Sequence, residues 1–318
     1  MEPKQKEYLS GTMNHLLSSP KKLIVIAGPT AVGKTAAAIK LAQLLQTEII
    51  SADSRQFYRE MSIGTAKPDA AELVQAKHHF IDSHSIKESF TVGDFEKEAL
   101  QLLDELFKTH DKVIMVGGSG LFIQAVTQGF DNLPTAEPKI REQLNNEFAE
   151  KGIEYLQQRL KGADPDYYDQ VDLNNPQRLI RALEVFEATG KPFSSYRKAT
   201  INTRPFESIK IVLDLPREEL YNRINQRVDI MIEQGLVEEV RSLLLYRHLN
   251  ALNTVGYSEL FNYFDGNTDL QTAIDLIKQN TRRFAKRQLT WFRKDKEMKW
   301  LMANDPNLIG GIIKQASY

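Results

Sequence analysis

The chain has 318 residues, 42% of them hydrophobic, with no cysteine and a formal net charge of −1. That is length for about two domains and enough apolar material for a core, which excludes a disordered chain. It also excludes disulfides, cysteine-ligated zinc or iron–sulfur centres and a thiol nucleophile, fits a cytoplasmic setting, and leaves any nucleic-acid partner to a local basic face.

Residues 1–20 are polar and patternless, with no signal-peptide core, and read as a flexible extension. Leu23–Ala27 is a short apolar run bounded by Gly-Pro, a buried strand by pattern, and Lys34–Leu45 follows as a helix. Glu48–Ala52, Phe80–Asp82, Val113–Val116 and Ile209–Leu213 are further strand candidates, with helical patterns at Thr91–Lys108 and Gly120–Thr127. Alternating strands and helices predict an α/β fold with a mainly parallel, doubly wound sheet of the P-loop type. Charged helical segments with Pro and Asp-Pro punctuation then replace the strands. The expected division is a core of residues 21–130 and 205–318 carrying a helical insertion at 131–204. From Arg217 to about Trp291 the pattern is helical again. No apolar run reaches the roughly 18 residues of a membrane span, so no membrane association is expected.

Between the first strand and first helix stands Gly28-Pro29-Thr30-Ala31-Val32-Gly33-Lys34-Thr35, which matches the phosphate-binding G-x-x-x-x-G-K-[ST] pattern in the context that pattern requires. Its glycines let backbone N–H groups face phosphate oxygens at a helix N-terminus, Lys34 adds a point charge, and the Thr35 hydroxyl is placed for Mg²⁺. The strand Val113–Val116 ends in Gly117-Gly118-Ser119-Gly120 rather than in the acid a nucleoside triphosphatase usually places there. Asp53 and Asp214 end other strands, and these two are the candidates for that role. Arg223 and Arg227 lie four apart on one helix face, a repulsive spacing unless an anion or solvent relieves it.

Nine lysines and arginines fall between Lys278 and Lys299, against only Asp295 and Glu297. Arg282/Lys286 and Arg283/Arg287 are spaced to stack one helix face with positive charge, and the shortage of acids points to a phosphate-backbone partner. Phe284, Leu289 and Trp291 read as core positions. In the insertion, Ile180, Leu183 and Phe186 read as a buried stripe that leaves Arg178 and Arg181 exposed.

GPTAVGKT, ISADSRQFYREMSIGTAKP (Ile50–Pro68), VGGSGLFIQAV (Val116–Val126), NNPQRLIRALEVFEATGK (Asn174–Lys191) and KRQLTWFR (Lys286–Arg293) stand in an order that closely resembles the tRNA dimethylallyltransferases of bacteria. The resemblance runs from about Leu23 to Trp300. It implies transfer of an isopentenyl group from dimethylallyl diphosphate to the exocyclic amine of the adenosine 3′ of a tRNA anticodon. It maps the family's catalytic aspartate onto Asp53, a general base for a poorly nucleophilic amine. Ser119 stands where the family usually has threonine, which keeps the hydroxyl and loses a methyl. The phosphate loop with Lys34, Mg²⁺ at Thr35, and Arg223 or Arg227 would stabilise the leaving diphosphate. The tRNA contacts implied are Asp53, Ser54, Arg55, Gln56, Ser119, Arg141, Gln177, Arg178, Arg181, Val255, Gly256, Tyr257, Lys286, Arg287, Gln288, Trp291 and Arg293. The expected state is a monomer. A free-nucleotide isopentenyltransferase, a small-molecule kinase and a non-catalytic RNA-binding module are the competing readings.

Overall fold

The structure is a computed structural model that describes residues 20–131, 133–134, 136–197 and 203–317. The extension expected over residues 1–20 lies outside the described residues but for Pro20. In chain order the elements are β1 (Lys22–Ala27), α1 (Lys34–Leu45), β2 (Ile49–Ser51), α2 (Ala70–Gln75), β3 (His78–His79), α3 (Val92–Leu106), β4 (Lys112–Gly117), α4 (Gly120–Gln128), α5 (Pro138–Ala163), α6 (Pro165–Tyr168), α7 (Pro176–Thr189), β5 (Glu207–Asp214), α8 (Arg217–Glu233), α9 (Leu236–Ser242), α10 (Tyr257–Phe264), α11 (Leu270–Phe292), β6 (Lys299–Met302) and α12 (Leu308–Ser317).

The six strands form one parallel sheet in the order β3-β2-β4-β1-β5-β6. A parallel sheet needs cover on both faces, which is why β1 is apolar from Leu23 to Ala27. Ile24 and Ile26 pack with α1, α8 and α12, whereas Leu23, Val25 and Ala27 pack with α3 and α4 on the opposite face. Strand β5 breaks the apolar rule at Lys210, only 4% exposed, whose ammonium reaches Asp295 at 2.6 Å and Glu297 at 2.7 Å. A buried charge in a sheet persists only with such partners. A third cluster gathers α8, α9, α10 and α11 around Tyr257, Leu260 and Phe261, with Tyr58 and Met61 of the segment after β2.

The chain divides into two compact units, one holding the chain up to Thr127 and from Arg204 onward, the other Gln128–Thr203. The second unit is helical, and its core is Leu144, Leu156, Leu160, Leu179, Ile180, Leu183 and Val185 around Tyr167 and Phe193. Gly152, at φ 79°, breaks α5 in two.

Two sequence expectations need correction. Phe80–Asp82 is no strand: Phe80 and Asp82 have φ of 60° and 52°, left-handed values that a strand cannot hold, and the paired residues are His78 and His79 just before them. Phe284 is no core residue either. It is 39% exposed, because the buried face of α11 runs through Ala273, Ile277, Ala285, Gln288 and Phe292.

Candidate active site

Four loops at the carboxyl ends of β1, β2, β4 and β5 meet where the strand order reverses, the place an open α/β sheet leaves for a ligand. The first is the phosphate loop. Gly28, Ala31 and Gly33 have φ of 149°, 65° and 100°, which lets the loop coil back over the start of α1. A Cβ on Gly28 would stand 2.7 Å from the Leu213 carbonyl oxygen, so the loop closes on β5 only with glycine there. Pro29 and Thr30 complete the entry to the loop, and Val32 anchors it in the core.

Lys34 opens α1, and its ammonium donates to the Pro29 carbonyl at 2.7 Å. Burial pulls its pKa from the ordinary 10.5 to about 8, partly opposed by Asp53 and reinforced by Arg227. This is a cation held out of water beside a phosphate-binding loop at a helix N-terminus, an arrangement that suits an anion. Thr35 follows, with no hydrogen bond to its hydroxyl among the described residues.

Arg223 and Arg227 of α8 both turn toward this cradle. Arg223 lies 3.9 Å from where a Gly33 Cβ would be and pairs with Glu219 at 2.7 Å. Arg227 forms neither a hydrogen bond nor an ion pair among the described residues. Burial depresses its pKa, opposed by the charges of Glu72 and Asp53. Of the two, Arg227 is the unneutralised one.

The second loop carries Asp53. Its Oδ1 accepts from the Arg55 N–H at 3.0 Å, a turn that fixes the carboxylate, whose charge acts on Lys34, and among the described residues none donates to Oδ2. Ser54 N–H donates to Ser119 Oγ at 3.0 Å, tying this loop to the one after β4. Arg55 donates to Ser54 and Asn250 carbonyls, its Nε is buried without a partner, and burial lowers its pKa. Gln56 faces inward: it donates to the Thr65 and Ala66 carbonyls and accepts from Ser51. At the end of β5, Asp214 Oδ1 accepts from Leu215 N–H at 2.8 Å, a local cap.

The third loop is Gly117-Gly118-Ser119-Gly120. Its three glycines are glycines because something already occupies the space a Cβ would take: a Cβ would stand 2.2 Å from the Ala52 carbonyl oxygen at Gly117, 2.3 Å from Gln288 Nε2 at Gly118, and 2.2 Å from the Trp291 indole at Gly120. Helix α11 therefore lies directly against the site. Gln288 is 7% exposed, and both ends of its amide are used, accepting from Thr30 N–H and donating to the Gly118 carbonyl. The sequence reading placed Gln288 and Trp291 among the tRNA contacts; in the structure both pack against the site loops, and Trp291 also lines the basic hollow on the outer face of the helix. The glycine run was the signal that could have revealed this.

The outer face of α11 is basic. Lys286, Arg287, Thr290, Trp291 and Lys294 line an open hollow of about 210 Å³ with no acid in its wall. Arg287 lies over Phe284, and Arg293 over Trp300. Farther up the helix the expected lack of partners does not hold. Lys278 pairs with Asp229, and Arg282 and Arg283 donate to Asn225 and Asn280.

Tyr257, also expected at a nucleic-acid surface, is fully buried. Its hydroxyl donates to Glu239 at 2.6 Å, and that carboxylate also accepts from Ser62, Ile63 and Gly64 N–H. Val255 packs against the same cluster and Gly256 is buried at the head of α10, at φ 96°. Glu239 is thus a functional-neighbourhood residue that sequence reading missed, because nothing in LVEEV distinguishes it from a solvated acid.

In the second unit, Arg141 donates to Glu184 at 3.1 Å and to Gln177 at 3.0 Å, while Arg181 donates to the same Glu184 at 2.8 Å. Glu184 is a buried anion that orients two arginines. Arg178 is exposed on the same helix.

A phosphate loop after β1, an acid after β2 and a basic helix over both define a P-loop fold suited to group transfer beside a phosphate chain. A family model described as IPP transferase matches residues 56–295. The chain is 58% identical over 278 residues to the tRNA dimethylallyltransferase of Christiangramia forsetii, covering 87% of this chain and 92% of that protein. It is 53% identical over 286 residues to the tRNA dimethylallyltransferase of Flavobacterium johnsoniae, covering 88% and 93%. Among solved structures it resembles the tRNA isopentenylpyrophosphate transferase of Bacillus halodurans, with a TM-score of 0.67 and 38% identity over 93% of this chain and 98% of that one. It also resembles a eukaryotic dimethylallyltransferase acting on tRNA, with a TM-score of 0.76 and 27% identity over 93% and 77%. The chain belongs to the IPP transferase family.

Proposed function

We infer that this protein transfers a dimethylallyl group from dimethylallyl diphosphate to the exocyclic N6 of the adenosine 3′ of a tRNA anticodon. The observation that carries the reading is the meeting of Lys34, Asp53 and Arg227 at one phosphate loop, beneath a helix with an unneutralised basic face. Two cations and a coil of N–H groups suit a diphosphate. One carboxylate with an open oxygen suits a proton.

The step balances as a substitution. The N6–carbon bond forms as the carbon–oxygen bond to diphosphate breaks, and the N6 proton passes to Asp53. Charge gathers on the departing diphosphate, where Lys34, Arg227 and the loop amides already point, so stabilisation grows along the reaction. Ser119 Oγ, held by Ser54 N–H, would orient the base beside Asp53.

Mg²⁺ would be held at Thr35 in company with the diphosphate. The residues fit this: Thr35 sets a hydroxyl at the head of α1 beside the phosphate loop, and Mg²⁺ commonly binds through few protein oxygens plus substrate phosphates. When bound it would supply further neutralisation of the leaving group.

The tRNA would lie on the Lys286, Arg287, Arg293 and Lys294 face, with the target adenosine turned out of its stack to reach Asp53, at a cost of a few kcal/mol that backbone contacts offset. In the second unit Arg141, Arg178 and Arg181 are the candidate phosphate contacts. No helix among the described residues is long and apolar enough to cross a membrane.

Replacing Asp53 by Asn, with binding and transfer measured separately on an anticodon stem-loop, tests the reading. Transfer should fall by about 10²–10⁴-fold with stem-loop affinity nearly intact. Undiminished transfer would remove Asp53 from the proton-handling role.

A further inference from the structure

Gln288 stands on the buried face of α11, at 7% exposure, while its neighbours Lys286 and Arg287 open to the basic hollow. Its amide is used at both ends and in one orientation. Oε1 accepts from the Thr30 N–H of the phosphate loop at 2.9 Å, and Nε2 donates to the Gly118 carbonyl at 2.9 Å. A rotated amide would set oxygen against oxygen and N–H against N–H, so the site demands a donor and an acceptor on one side chain of this length. Gly118 has no room for a Cβ because the Gln288 nitrogen already fills that space, and three residues on the Trp291 indole does the same at Gly120.

The two backbone groups so joined belong to the two sides of the reaction. Thr30 lies in the loop that would hold the leaving diphosphate. Gly118 precedes Ser119, whose hydroxyl accepts from Ser54 N–H next to Asp53. We propose that Gln288 is a positioning residue: a buried strut that fixes the spacing between the phosphate loop and the Ser119–Asp53 side, and hence between leaving group and acceptor. The proposal rests on the functional reading above. A misplacement of about 1 Å between reacting groups costs about 100-fold in rate, so a strut of this kind acts on turnover more than on binding of either substrate.

Gln288→Met keeps the length and volume and removes both hydrogen bonds; Gln288→Glu keeps the acceptor toward Thr30 and removes the donor toward Gly118. Each is assayed for kcat, for affinity toward inorganic pyrophosphate and an anticodon stem-loop, and for hydrogen exchange of the Thr30 amide by NMR. In Gln288→Met, kcat should fall at least about tenfold, which is about 1.4 kcal/mol, while both affinities stay within about threefold of wild type. Gln288→Glu, which sets a carboxylate oxygen against the Gly118 carbonyl oxygen, should lose at least as much kcat as Gln288→Met. The Thr30 amide should be protected in the wild type and in Gln288→Glu and should exchange faster in Gln288→Met.

A folded Gln288→Met with wild-type kcat, or with losses shared equally by kcat and both affinities, overturns the proposal. So does a wild-type Thr30 amide that exchanges freely. If Gln288→Met does not fold, Gln288→Glu decides on the same criteria. Should the wild type transfer no prenyl group to RNA, the functional reading fails, and Thr30 exchange in the variants still judges the strut.

Discussion

Lys34 should take up a proton when diphosphate binds, and the amount should follow pH in a defined way. Its free-site pKa is lowered from 10.5 to about 8 because burial of the ammonium outweighs the opposing charge of Asp53, with Arg227 adding to the lowering. At pH 7 about a tenth of the free sites then carry neutral Lys34, at pH 8 about half, and at pH 9 about nine tenths. A bound diphosphate restores the higher pKa, so binding should draw in protons in those proportions. Affinity should accordingly weaken by up to about tenfold per pH unit above pH 8. Calorimetry in buffers of different ionisation enthalpy counts the protons, and Lys34→Met, run in parallel, subtracts those belonging to the ligand and to other groups. The same lowering bears on stability. Between pH 8 and 10.5 the unfolded chain holds the proton more firmly than the folded one, so the ligand-free protein should gain stability as pH rises through that window, by at most about 3 kcal/mol. Equal proton counts for wild type and Lys34→Met at pH 9 would refute the reasoning, since Lys34 would then not face the bound anion.

Arg227→Gln should raise the diphosphate KM and lower kcat by about tenfold or more, whereas Arg223→Gln, already paired with Glu219, should do less; steady-state kinetics with dimethylallyl diphosphate compares them. Replacing Lys286 and Arg287 together by Glu should weaken stem-loop binding and reduce the slope of log K against log salt by roughly 0.7–0.9 for each phosphate no longer neutralised, leaving pyrophosphate affinity unchanged in a salt titration. Glu239→Gln should lower the thermal midpoint, since hydrogen bonds to a charged acceptor contribute about 1.5–3 kcal/mol each and the carboxylate accepts four. A midpoint within about 1 °C of wild type would mean the turn at Ser62–Gly64 does not depend on it.

The parts of this fold that read directly from the sequence are those in which a local pattern has a local cause. Strand β1 is apolar because both its faces are covered, and the phosphate loop announces α1, whose bounds Lys34–Leu45 match the helical pattern. Strand β6 was not visible, because its apolar run is only the three residues Trp300-Leu301-Met302, at the sheet edge with mainly exposed side chains. Phe80–Asp82 has strand-like composition, and only the left-handed backbone reveals a turn. The site was legible where charge and glycine are concentrated: Lys34, Asp53 and the arginines of α8 come together as their chemistry suggests. Gln288 and Glu239 were not legible as supports, since a buried amide or carboxylate differs from a solvated one only through partners distant in sequence. Phe284 shows the converse, an aromatic kept at the surface under Arg287.

The central claim is that one site joins a prenyl diphosphate to tRNA. Incubating the purified protein with dimethylallyl diphosphate, Mg²⁺ and an unmodified anticodon stem-loop whose anticodon is followed by adenosines, then weighing the RNA and sequencing the product by mass spectrometry, tests it most directly. The account predicts one dimethylallyl group in place of one hydrogen, on the adenosine 3′ of the anticodon, in wild type and not in Asp53→Asn. An RNA of unchanged mass, or adenosine monophosphate modified as readily as the stem-loop, would contradict it.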